Sequence, residues 1–135
     1  MTPADAQFLR DFHSPAWWTS ACQKTGIICP PIMGPVETTP KQNAAFYKAI
    51  ESIIDASDEV QRDTAAFEYE AICVVGFLRT RSMGRKRTAA QLAEQTAMVN
   101  QATEHARELI ADPPAELGEA TEYWIDQLRM CLGDH

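Results

Sequence analysis

An unbroken apolar run near the middle of the chain, Ala71-Ile72-Cys73-Val74-Val75-Gly76-Phe77-Leu78, constrains the fold more than any other stretch. It is far shorter than the roughly 20 residues that cross a bilayer, so it reads as the core of a globular protein. Ile72, Val74 and Val75 are β-branched, which suits a buried strand. The approach to the run argues for a helix instead. Val60, Thr64, Phe67, Ala71, Val74 and Leu78 recur at steps of three and four, a spacing that lines them along one stripe of a helix and would scatter them over both faces of a strand. Asp58 with Gln61 three residues later fits a capped start. The pattern predicts a central helix over about 58–81, closed by Ser82-Met83-Gly84. Its last turns carry Arg79 and Arg81, where the helix dipole favours cations.

Proline marks the other helix starts. Thr2-Pro3, Ser14-Pro15, Thr39-Pro40 and Asp112-Pro113 each pair an N-cap residue with the residue best tolerated at the first helical position. Gln42 follows Thr39 by three residues and Gln91 follows Thr88 likewise, completing two capping boxes. Helices are therefore predicted over about 3–12, 15–24, 40–56, 88–111 and 113–132, besides the central one. The expected apolar contributions are Phe8, Leu9 and Phe12 from the first, Phe46, Ile50, Ile53 and Ile54 from the third, and Leu117, Trp124, Leu128 and Cys131 from the last. The helix over 88–111 has the weakest stripe, running from Leu92 through Val99 and Ala102 to Leu109. Residues 25–38 hold three prolines and two glycines and form a long loop, yet carry Ile27, Ile28, Ile32, Met33 and Val36. Such a loop either packs over the core or offers an apolar surface to a partner. The expectation is an all-α, single-domain bundle of about four main helices over residues 1–135, with a short N-terminal helical pair.

The length of 135 residues suits one domain, and 45% hydrophobic with 23% charged residues is too apolar for disorder. The net charge of -7 opposes nonspecific binding to nucleic acid or to an anionic membrane. Charge is unevenly placed, however: Arg79, Arg81, Arg85, Lys86 and Arg87 bring five of the twelve Lys and Arg residues into nine positions. The opening residues lack the basic and apolar pattern of a secretory signal, so a cytoplasmic protein is expected. The four cysteines, Cys22, Cys29, Cys73 and Cys131, are then reduced and buried thiols.

Motifs for chemistry are sparse. Bundle metal sites use Glu-x-x-His, but Ala102 and Arg10 stand three residues before His105 and His13. His105 with Glu104 and Glu108 reads as a solvated face, and Cys22 and Cys29 are spaced unlike zinc knuckles. No metal or cofactor is implied. Glu68 shares a line with Ile72 and Val75, so burial can raise the pKa of one of Glu68 and Glu70, which of the two being left open, and their spacing of two points them to opposite sides, so they cannot act as a carboxylate pair. Neither Gly-x-Ser-x-Gly nor a phosphate loop is present, and no catalytic residue is assigned.

Two contact surfaces are expected. One is the basic turn 79–87, which can grip phosphates or carboxylates. The other lies around Trp17, Trp18, Ile28 and Ile32, because adjacent tryptophans on a helix point about 100 degrees apart and one must be exposed or covered by the loop. Residues 88–95 resemble the first helix of some helix-turn-helix modules, a likeness spanning about ten residues. It then departs, with Ala97 where the turn needs glycine and Glu104 and Glu108 in the recognition position. The leading expectation is a non-enzymatic interaction protein (regulator, adaptor or inhibitor) that binds another protein or complex. One variant is an acidic inhibitor of a nucleic-acid-binding partner, of the phage or mobile-element type. The alternative is a nucleic-acid binder using residues 79–87, and the third reading is a bundle enzyme or metal protein. No membrane association is expected, and homo-oligomers are allowed.

Overall fold

A computed structural model describes residues 2–31, 38–80 and 88–133. They form six helices in chain order: α1 (Pro3–Asp11), α2 (Ala16–Thr25), α3 (Pro40–Asp55), α4 (Glu59–Thr80), α5 (Ala89–Ala111) and α6 (Glu119–Cys131). No strand occurs among the described residues, and none of their helices is long and apolar enough to cross a membrane.

The caps act as their chemistry dictates. Thr2, Thr39 and Thr88 each accept from the third backbone N–H of their helices, and Asp5, Gln42 and Gln91 return the bond. Asp58 accepts from the Gln61 N–H at 2.8 Å and opens α4. Two proline signals behave otherwise. Pro15 itself occupies the cap of α2, and the Ser14 hydroxyl is buried with no hydrogen-bond partner among the described residues. The start predicted at Asp112-Pro113 is six residues early: α6 begins at Glu119 behind Gly118, whose N–H donates to Thr121 Oγ1. Pro114 accounts for the first step of this, since a proline pushes the residue before it out of the helical region, and so Pro113 cannot be the first helical residue. Leu117, expected in the core, is consequently exposed.

α4 is the spine. It packs against α3, α5 and α6, and it buries Phe67, Ala71, Ile72, Val74, Val75 and Leu78. The foot of the predicted stripe, Val60, lies outside the core at 45% exposure. α2 wedges beside α3, and both of its tryptophans are buried. Trp18 meets Phe46 of α3 edge-on at 5.0 Å, while Trp17 reaches α4, its ring 6.0 Å from Tyr69 and its N–H 3.4 Å from Glu68 Oε1. Residues 100 degrees apart on one helix are both covered because α2 has a neighbour on each side.

Gly26 ends α2 in the left-handed region, with φ 71, and turns the chain back over Trp18. The Trp18 indole N–H donates to the Cys29 carbonyl, Ile27, Pro30 and Pro31 are buried, and Ile28 packs half-buried against the core. The described start of the loop thus packs on the core. Ile32, Met33 and Val36 lie outside the described residues.

Candidate functional site

Eight consecutive apolar residues make slightly more than two helical turns, so they put apolar surface all round α4. Its neighbours cover most of that circumference but leave one strip open toward α5. There an open groove of about 350 Å³ runs between the two helices. Val74, Phe77, Met98 and Ala102 supply its apolar lining, and Tyr69, Cys73 and Gln101 complete it. Met98 is 47% exposed, and Leu92, one and a half turns toward the start of α5, is 51% exposed, although the sequence placed it on the packed stripe. At the far end His105 Nε2 lies 3.9 Å from Glu70 Oε1 across the groove. His105 therefore reaches toward α4 and does not belong to a wholly solvated face.

Cys73 is exposed at the groove, which corrects the expectation of a buried thiol. An apolar run that circles the helix must leave some member on the uncovered side, and Cys73 is that member. Surrounding protein still crowds its sulfur enough to push the thiol pKa up, the Tyr69 hydroxyl partly offsetting this and Glu70 adding to it. Cys22 is buried and free, its pKa raised by burial, with the Cys29 N–H donating to its sulfur. A raised pKa means little thiolate near neutrality, so neither is primed as a nucleophile. Under native conditions maleimide should modify Cys73 well before Cys22, slowly because of that pKa. Peptide mass spectrometry checks the order, and Cys22 reacting first would contradict an open groove.

Glu68 and Glu70 part as their spacing requires. Glu70 is exposed at the groove, whereas Glu68 is 5% exposed, with Trp17 as the partner of its carboxyl. Burial pushes the Glu68 pKa up to about 7, and the Trp17 hydrogen bond lowers it only in part. The indole covers this carboxyl, so its place is in the packing between α2 and α4 and not in the groove.

The other predicted contact residues are dispersed. Trp17 and Trp18 are core side chains, and Ile28 packs beside them. Arg79 is exposed at the end of α4, on a shallow recess of about 300 Å³ shared with Leu78, Met130 and Cys131. Arg81, Arg85, Lys86, Arg87 and Ile32 fall outside the described residues. α5 runs unbroken from Ala89 to Ala111, so the resemblance to a helix-turn-helix ends within one continuous helix. Among the described residues no group of three or more His, Cys, Asp or Glu side chains is placed to hold a metal ion. The groove was not singled out from the sequence. Its signal was there nonetheless, in Cys73 and Phe77, which belong to the apolar run yet fall off the stripe of α4.

Comparison of the chain with family models, with curated proteins and with solved structures finds no match.

Proposed function

We propose that this chain is a non-enzymatic protein–protein interaction module, a regulator, adaptor or inhibitor that works in the cytoplasm and docks its partner in the groove between α4 and α5. The observation that carries this reading is the groove itself. Phe77, Val74 and Ala102 line it together with Met98, which is 47% exposed. An apolar cleft between two packed helices, edged by polar side chains, is a common form of binding site. The four thiols are free, as they remain in a reducing compartment.

The test is site-specific crosslinking in the native cell. A photoreactive residue replacing Met98 or Gln101 should yield a covalent adduct with a discrete protein, while the same residue at Asp126, exposed on α6, should not. Equal adducts from all three positions would remove the groove as the docking face.

A second reading is favoured by one feature of the sequence, the five cations within 79–87. Labelled DNA or RNA would then bind at low salt, weaken steeply as salt rises, and dissociate when Arg85, Lys86 and Arg87 become alanine. Absence of binding at low salt would eliminate it.

A further inference from the structure

We infer that the α4–α5 groove takes an amphipathic helix of a partner protein whose apolar stripe is flanked by lysine and arginine, an inference that rests on this groove being the docking face. Backbone chemistry decides the form of the occupant. Both walls are helices, whose N–H and C=O groups are already paired along their length, so an extended peptide would find no strand edge on which to satisfy its own backbone. A helix satisfies its backbone internally and needs from the groove only apolar contact. From Glu70 to Phe77 the wall rises about 10 Å, two turns, which matches anchors at positions i, i+3 or i+4, and i+7.

Charge decides the flanks. Continued at helical spacing, the groove-side rows carry Glu59, Asp63 and Glu70 on α4 and Glu94, Glu108 and Asp112 on α5, all exposed. Among the described residues the cation on the same side of α4 is Arg62, which is engaged locally, its guanidinium donating to the Asp55 carbonyl at 3.4 Å and the Ser57 carbonyl at 3.0 Å. Arg107 lies on the other side of α5, 3.6 Å from Glu104. Carboxylates therefore stand in line with the groove on both helices of a chain of net charge -7, with Glu70 in its lining, Glu94 one turn before Met98, Glu108 just past His105, and Glu59, Asp63 and Asp112 beyond its end. An acidic helix, a phosphate backbone or a second copy of this chain would meet like charge there. A cationic helix gains association rate and a fixed register from the same rows.

Synthetic helices test this directly. Labelled peptides sharing one leucine stripe, flanked by lysine, glutamine or glutamate, are titrated into the full chain by fluorescence anisotropy, beside a lysine peptide with its leucines scrambled. The lysine-flanked helix should bind about tenfold or more tighter than the glutamine one, and the glutamate one should not bind. Met98→Ser should weaken the lysine and glutamine peptides alike. Glu94→Lys with Glu108→Lys, both exposed and outside the lining, should erase the lysine preference while leaving the glutamine peptide unaffected. Equal affinity of lysine and glutamine helices would overturn the charge inference and leave the docking face standing. Equal binding of the scrambled peptide, or no binding by any peptide, would overturn the helical occupant, and crosslinking at Met98 would judge the docking face separately. Concentration-dependent self-association that Met98→Ser abolishes would assign the groove to a second copy and overturn the inference.

Discussion

Replacing Trp124 with alanine should destabilise the protein by about 3–5 kcal/mol, a large part of the roughly 5–15 kcal/mol that holds a typical domain folded. Trp124 is 1% exposed and is the largest of the fully buried side chains. Its indole N–H donates to the His13 carbonyl at 3.2 Å, joining α6 to the corner between α1 and α2 across 111 residues of sequence. That corner is a demanding one. His13 has φ 54, in the left-handed region that costs a side chain with a Cβ about 1 kcal/mol or more. Its ring stacks on Tyr123 at 3.8 Å, and Tyr123 meets Trp124 edge-on at 5.2 Å. Alanine would open a cavity and also strip the His13 carbonyl of its donor. Urea unfolding followed by circular dichroism measures the loss, since Trp17 and Trp18 would complicate a fluorescence signal. Trp124→Phe keeps most of the ring and removes the donor, so it should cost less. A loss below about 1 kcal/mol for the alanine variant would mean that the corner is held by other contacts.

The second large effect is a dependence of stability on pH centred on Glu68. Its folded pKa of about 7 lies above the ordinary glutamate range because burial penalises the charged carboxylate. A raised folded pKa means that the folded state holds its proton while the unfolded chain releases it. This contribution is complete below the unfolded pKa, erodes as pH rises toward neutrality, and is gone once pH passes the folded value. The full span amounts to roughly 3 kcal/mol as an upper limit. Glu68→Gln cannot ionise, and its amide oxygen can still accept from the Trp17 N–H, so it should be more stable than the parent at pH 8 and close to it at pH 4. Chemical denaturation across that range reads the difference. Parallel curves for parent and variant would show that Glu68 does not carry the dependence.

Much of the fold was legible because helix ends are written in local chemistry. Thr2, Thr39, Thr88 and Asp58 need only a backbone N–H three residues away, and each helix starts where its cap stands. The misreadings share a cause. Ser14 and Asp112 have the right side chains, but Pro15 takes the cap of α2 itself, and Pro114 keeps Pro113 out of the helical region, so that α6 opens behind Gly118. Periodicity identified the faces of α4 and α3 well, and the foot of α4 and the first half of α5 poorly. Val60 and Leu92 continue the apolar spacing to points where they remain exposed.

The sequence by itself determined that a helix runs over about 58–81, where the structure has Glu59–Thr80, and that Glu68 and Glu70 point apart, because cap chemistry and 3.6-residue periodicity act within a few residues of chain. Only the tertiary structure decided that both Trp17 and Trp18 would be covered, that Glu68 would meet an indole, and that Cys73 and Phe77 would face an open groove. A run that is apolar all round does not say which side its neighbours will leave uncovered. That depends on where α3, α5 and α6 settle, and their positions follow from contacts between residues tens of positions apart.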